Sequence, residues 1–226
     1  MPVNVFLIEG FVDFLCFSVT CIDMKKLLVL GIMLLSLGGV GTEPVIPSPN
    51  LSLGLSPLDG GEHFTFKGIP INGPLSEFTR KMQAEGFVFV QKQENTALYT
   101  GMFLGEKVQV FAIEGNGNVY RVGVAFEEKD VWSYLKNQYM NIRSMLTTKY
   151  GEPFSAVEEF KSPYSDGGGH EIFAIKYEYG TYYANFQSPD GLGFVQLKLS
   201  TLASVVLIYE DKINAERLEN QFIDDL

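Results

Sequence analysis

The sequence has 226 residues and a formal net charge of −10 at pH 7, and its two cysteines, Cys16 and Cys21, lie near its start. The negative charge argues against nucleic acids and anionic membrane surfaces as partners, because both attract clustered positive charge. The length suits one domain with a substantial core. Because both cysteines precede residue 22, disulfides, thiol nucleophiles and thiolate metal ligands are excluded from the chain that follows.

Residues 24–41 have the composition of an export signal. Lys25 and Lys26 precede an apolar run over residues 27–37, and small glycines follow that run. A basic start, a short apolar segment and small residues at a cleavage site are the three parts of such a signal. A membrane-spanning helix needs about 20 apolar residues, which this run does not reach. We therefore expect a signal peptide and a periplasmic or extracellular location.

Residues 1–23 do not resemble a second signal. They are largely apolar, but Glu9 and Asp13 interrupt them and no basic residue precedes them. An acidic residue near the centre of a membrane span costs on the order of 2.5–3.5 kcal/mol. We interpret this segment as an over-extended gene start with Met24 as the initiator. A two-segment membrane anchor is the alternative.

Residues 42–62 contain four prolines among serine, asparagine and glycine, which predicts a flexible linker. A single domain is predicted over residues 63–212, with residues 213–226 forming a C-terminal helix or tail. A short strand is expected at residues 63–69. A helix follows, begun by Pro74 and ended by Gly86, since proline suits the first helical position and glycine suits the end.

Two sets of strands follow helical patterns. Period-two alternation predicts strands at residues 87–91, 97–103, 107–113 and 119–127. A long helix is expected at residues 130–150, with Asp130 as its N-cap and Gly151 at its end. The second set of predicted strands covers residues 154–160, 171–179, 181–187, 192–199 and 203–210. This order predicts an α+β fold: an antiparallel β-sheet built from two helix-plus-meander blocks, with two helices packed on one face.

Two short strings resemble a known group of proteins. Phe66-Lys67-Gly68-Ile69-Pro70-Ile71-Asn72-Gly73 and Lys149-Tyr150-Gly151-Glu152-Pro153 are similar to segments of small exported proteins of Bacteroidetes that share a Phe-x-Gly-Ile-Pro-Ile-x-Gly opening. The resemblance implies an envelope or secreted location and supplies no catalytic residue. The order of helices and strands is also similar to β-lactamase-inhibitor-like folds, as an architectural analogy.

A glycine-rich loop offers weak candidates for a metal site. Asp166, His170 and Glu171 flank three consecutive glycines and carry the oxygen and nitrogen atoms that bind metals. Metal ligands usually stand on rigid elements, however, and three glycines oppose rigidity. A mobile loop between strands is the other interpretation, and we predict no cofactor.

Four tyrosines are the candidate ligand-binding residues: Tyr177, Tyr179, Tyr182 and Tyr183. They are expected on facing strands of a hairpin, where aromatic pairs stabilise a sheet. The functional alternative is a platform for a sugar, a peptide or a partner protein. Alternation places Tyr182 and Tyr183 on opposite faces, so at least one of these rings is expected to face away from the helices.

The sequence therefore favours a non-enzymatic exported binding module for a protein or a glycan. It contains no Gly-x-Ser-x-Gly string that would present a nucleophile. Two alternatives stay open. One is a metal-dependent hydrolase using Asp166, His170 and Glu171, and the other is a structural subunit of the envelope.

The signal makes a direct prediction about the mature chain. Cleavage after Gly41 would leave a chain that begins at Thr42 and lacks both cysteines. Intact-mass spectrometry of the secreted protein should give the mass of residues 42–226, and the protein should not react with thiol reagents. A secreted product that retains either cysteine would contradict this assignment.

Overall fold

A computed structural model of the protein describes residues 62–224. The proposed gene start, the signal and nearly all of the predicted linker lie outside the described residues. Within residues 62–224 the chain forms ten strands and four helices. The strands are β1 Thr65–Phe66, β2 Ile69–Pro70, β3 Val88–Gln93, β4 Thr96–Phe103, β5 Glu106–Gly115, β6 Asn118–Phe126, β7 Ser155–Phe160, β8 Gly180–Gln187, β9 Gly193–Leu199 and β10 Val205–Asp211. The helices are α1 Leu75–Ala84, α2 Trp132–Tyr150, α3 Glu171–Lys176 and α4 Lys212–Asp224.

Eight of these strands form one antiparallel sheet in the order β3-β4-β5-β6-β10-β9-β8-β7. Each half of the sheet is a meander of four consecutive strands, and each meander follows a helix, α1 or α2. The two meanders meet where β6 pairs with β10. The predicted α+β fold with two helix-plus-meander blocks is therefore confirmed.

One face of the sheet carries the core. Because side chains alternate along a strand, β6 directs Val122, Val124 and Phe126 to one side, and all three belong to the central hydrophobic cluster. The buried stripe of α1 joins the same cluster through Leu75, Phe78 and Met82. The residues that α2 contributes to it are Leu135, Tyr139, Ile142 and Leu146. Both helices thus pack on one face, as the sequence predicts.

The helix ends differ in detail from the expectation. Helix α1 begins after Pro74 without a side-chain cap, and Glu114 on β5 accepts the free N–H of Leu75 at 2.9 Å instead. Helix α2 begins at Trp132 rather than at Asp130, again without a side-chain cap. The predicted C-terminal glycines are confirmed, since Gly86 and Gly151 both have positive φ.

The predicted strand at residues 171–179 is wrong. Residues Glu171–Lys176 form helix α3, whose buried residues are Glu171, Ala174 and Ile175. That spacing of three and four residues is helical, and it competes with the alternation of Phe173, Ile175, Tyr177 and Tyr179 on which the prediction rests. Packing decides the outcome, because Ile175 joins the core beneath Gly180.

The carboxylate of Asp211 joins three parts of the fold at the end of β10. It is fully buried and accepts the backbone N–H of Phe64 at 2.7 Å. It also accepts the N–H of Asn214 at 2.9 Å, and so caps α4. The ring of His63 lies 3.1 Å from the same carboxylate. The structure has a hairpin of β1 and β2 where a single strand is predicted at residues 63–69. The Asp211 carboxylate binds the two residues that precede β1, and so holds the start of this hairpin in place.

Asp211→Asn tests this anchor. An amide retains one acceptor oxygen but places an NH₂ group against an N–H donor, which leaves buried donors unpaired. We expect the free energy of unfolding to fall by about 2–3 kcal/mol, measured by urea denaturation with tryptophan fluorescence. The control is Asp130→Asn, because Asp130 is exposed, and its effect should stay within about 0.5 kcal/mol. Equal stabilities for the two variants would contradict the anchoring role.

Candidate binding surface

Four aromatic rings form a contiguous row in the connection between β7 and β8, and three of them are exposed while Tyr164 is half-buried. We call Tyr164, Phe173, Tyr177 and Tyr179 the aromatic row. Ring centroids are 5.1 Å apart between Tyr179 and Tyr164, 5.9 Å between Tyr164 and Phe173, and 4.4 Å between Phe173 and Tyr177. Phe173 is 46% exposed, Tyr177 62% and Tyr179 43%. This is a contiguous group of large rings that the fold leaves at the surface.

Local backbone structure fixes the row in place. Phe173 and Tyr177 are four residues apart, so the turn of α3 brings their rings to the same side. The N–H of Tyr179 donates to the carbonyl of Ala174 at 2.8 Å, and the N–H of Lys161 donates to the carbonyl of Tyr179 at 2.7 Å. Below the row, Ala174 and Ile175 are buried. The exposed rings therefore stand on an ordered base.

The rings of the row pack against one another. The three neighbouring pairs have interplanar angles of 31–38°, and together with their short centroid distances this describes tilted, offset packing. In such packing, each ring covers part of one face of its neighbour. The two inner rings consequently present mainly their edges, whereas the end rings, Tyr177 and Tyr179, each keep one face that the row does not cover.

The structure separates the four predicted tyrosines. Tyr177 and Tyr179 lie in the aromatic row. Tyr182 lies on the helix-covered face of β8 and is only 6% exposed, with Trp132, Tyr139 and Phe160 around its ring. Burial, together with the nearby carboxylates of Asp166 and Glu158, raises the pKa of Tyr182 to about 12.

Tyr183 points to the opposite face of the sheet. Its neighbours in register are Val157 on β7 and Lys198 on β9. The expected division of Tyr182 and Tyr183 between the two faces is thus observed. Tyr164 and Phe173 complete the surface instead, and sequence reasoning missed Tyr164. Its signal was weak, because it is a single tyrosine next to Pro163 in a polar loop.

The three weak metal candidates have separate roles. Asp166 accepts the indole N–H of Trp132 at 2.7 Å and pairs with Lys136. Glu171 accepts the N–H of Gly169 at 3.2 Å, and His170 is exposed at the start of α3. Across residues 62–224, no three His, Cys, Asp or Glu side chains form a group that could hold a metal ion. The hydrogen bonds of Asp166 and Glu171 fasten the glycine-rich loop to α2 and α3.

The other histidine, His63, has a structural role. The His63 side chain is 4% exposed and pairs with Asp211, so it belongs to the anchor described above. In the described part of the chain, no helix is long and apolar enough to cross a membrane.

Comparisons with known proteins found no relative of this chain. A scan against protein-family models, a search of curated proteins and a search of solved structures each return no match. The functional argument therefore rests on the geometry of this chain.

The bond between Trp132 and Asp166 provides a test of the loop's attachment. Hydrogen bonds from Lys136 and Trp132 hold the pKa of Asp166 below its ordinary value of 3.8. A lowered pKa in the folded state means that the attachment is present above pH 3.8 and is lost as the pH falls through the folded pKa. The chain contains one tryptophan, so a single indole N–H resonance reports on this carboxylate in an NMR titration.

We expect that resonance to move with a midpoint below 3.8. In Lys136→Gln the midpoint should rise, because the largest favourable contact is lost. The control is Lys107→Gln, on an exposed lysine of β5, which should leave the midpoint unchanged. An indole signal that is independent of pH would show that Asp166 does not hold Trp132.

Proposed function

We propose that the protein is an exported, non-enzymatic binding module that holds a polypeptide partner on the aromatic row. The observation that carries this proposal is a contiguous row of four rings on an ordered base, three of which are exposed. Contiguous apolar patches on a protein surface mark interaction sites far more often than scattered single residues do. Tyrosine is also enriched among the residues that dominate binding energy.

The rigidity of the row supports a role in binding. A tyrosine or phenylalanine side chain has few rotatable bonds, and here the neighbouring rings and the backbone bonds of α3 restrict them further. A partner therefore meets a surface that loses little conformational entropy on association. This gives large contact area at low entropic cost.

The exposed edges favour a polypeptide over a glycan. Aromatic rings are electropositive at their edges, and phenol hydroxyls donate hydrogen bonds. Backbone carbonyl oxygens of a partner match both features. A sugar that stacks on aromatic residues requires an open ring face, and the packing between Phe173 and Tyr177, with centroids 4.4 Å apart, covers one face of each of these rings.

The charges around the row complement this chemistry. Lys161 and Lys176 are both exposed beside the rings, and Glu178 is the exposed acid between Tyr177 and Tyr179. Lys161 also donates to the carbonyl of Glu178 at 3.3 Å. Lys161 and Lys176 therefore offer cationic contacts beside the rings, which favours partner segments that offer carbonyl and carboxylate oxygens.

Export is part of the proposal and rests on the signal pattern at residues 24–41. An exported chain meets envelope or extracellular proteins. The corresponding bait is the secreted chain, and the sample to be searched is an envelope and culture-supernatant extract of the producing cell.

The test is affinity capture with the secreted wild-type chain, the double variant Tyr177→Ala/Tyr179→Ala, and the control Tyr134→Ala. Tyr134 is 66% exposed on α2 and lies outside the aromatic row. Its replacement by alanine is therefore the same type of substitution at a position outside the proposed site. We expect a defined set of proteins to be enriched by the wild type and the control but not by the double variant. With the purified partner, loss of the two end rings, which are among the three exposed rings of the row, should weaken binding by about 100-fold.

Two measurements make the result decisive. Thermal unfolding of the double variant should remain cooperative and fall only modestly below that of the control, since Tyr177 and Tyr179 each lose one ring contact. A glycan array probed with the same three proteins tests the other ligand class. Glycan binding that is lost in the double variant would overturn the polypeptide assignment, and a partner retained by the double variant would overturn the site.

A further inference from the structure

A concave site lies at the other end of β8 from the aromatic row. A cleft of about 820 Å³ opens between the segment before β1, the first turns of α1, the end of α2 and the turn between β8 and β9. This volume is within the range of small-molecule sites, about 300–1,000 Å³. The aromatic row precedes β8 and this cleft follows it, so a strand of eight residues separates them by about 26 Å.

The cleft has an apolar wall. Phe64, Tyr150 and Leu192 line it, and the rings of Phe64 and Tyr150 lie 6.3 Å apart. The Tyr150 hydroxyl is buried and has no hydrogen-bond partner among the residues that the structure describes. A buried hydroxyl without a partner costs about 1–3 kcal/mol. The cleft thus offers apolar contact area from Phe64, Leu192 and the Tyr150 ring, while the Tyr150 hydroxyl is buried within the protein.

Most charges that line the cleft are already satisfied. Lys81 pairs with Glu77 at 2.9 Å. Asp190 accepts hydrogen bonds from the Ser188 hydroxyl and the Leu192 N–H, and these two bonds hold its pKa below the ordinary value. These residues shape the rim and leave little capacity for a ligand.

Two lining charges of opposite sign remain. The Lys149 ammonium lies 4.9 Å from the Tyr150 ring centroid, and no carboxylate within residues 62–224 forms an ion pair with it. Glu62 is exposed on another side of the cleft and likewise has no ionic partner in the described part of the chain. The cleft therefore offers one cation and one anion together with an apolar wall.

We infer that this cleft binds a short peptide with free ends. Its carboxylate would pair with Lys149, its ammonium group with Glu62, and an apolar side chain would pack against Phe64 and Tyr150. Phosphorylated ligands fit less well, because the carboxylates of Glu62, Glu77 and Asp190 all line the cleft and repel added negative charge. This inference is independent of the aromatic row.

The probe is the tripeptide Ala-Leu-Ala with free ends, titrated into the isotope-labelled secreted chain and followed by amide NMR spectra. We expect shifts at Gly73, Tyr150 and Leu192. The same tripeptide with an acetylated amino end and an amidated carboxyl end should bind at least tenfold more weakly, because both charges are absent. Maltotriose serves as a neutral ligand of comparable size and should not shift these amides.

Three variants test the assigned contacts. Lys149→Gln and Glu62→Gln should each weaken binding of the free tripeptide about three- to fivefold, as exposed ion pairs do. Tyr150→Phe removes a hydroxyl that the protein itself buries and keeps the ring that packs against the ligand, so it should leave thermal stability unchanged or higher and retain binding. The matched control is Lys107→Gln, and the variant Tyr177→Ala/Tyr179→Ala should also bind normally, which separates this site from the aromatic row.

The outcomes are distinct. Loss of affinity in Lys149→Gln and Glu62→Gln together with discrimination against the blocked tripeptide would support the peptide site. Equal binding of the free and blocked tripeptides, binding of maltotriose at the same amides, or no shift at 10-fold excess over a millimolar protein sample would each overturn it.

Discussion

The pairing of β6 with β10 is the contact on which the rest of the fold depends, because it alone joins the two meanders into one sheet. Its register places Val124 opposite Leu207 and Val122 opposite Tyr209 on the helix-covered face. On the other face, Arg121 and Glu210 are also directly opposite and form an ion pair. One seam thus combines core packing with a charge pair that a slip of one residue would break, since such a slip reverses the faces of a strand.

The sequence predicts this architecture well where one physical signal dominates. Alternating residues such as Val122 and Val124 indicate a strand with one buried face, and the stripe of α2 indicates a long helix. The prediction fails at residues 171–176, where Ile172, Phe173, Ala174 and Ile175 satisfy both a strand and a helix pattern. Six residues are too few for periodicity to separate the two, and the burial of Ile175 beneath Gly180 decides it.

The candidate site was predictable only in part. Tyr177 and Tyr179 stand out in the sequence as members of a tyrosine-rich run, and the structure places both at the surface. Tyr182 belongs to the same run but is buried against Trp132 and Tyr139. Tyr164 joins the row from a loop thirteen or more residues away from its partners in the run. Composition can identify which residues are available, but the chain path between β7 and β8 determines which of them meet.

The strand order also determines which strand pairs close short loops and which close long ones. Each meander consists of hairpins between neighbouring segments, which close short loops and form quickly. The seam between β6 and β10, by contrast, joins segments separated by α2, β7, α3, β8 and β9, so its loop-closure entropy is larger. Until β10 emerges, β6 is an unpaired edge that exposes a row of backbone donors and acceptors. The free edge of β6 can therefore pair with strands of other molecules until β10, the last strand of the sheet, is synthesised.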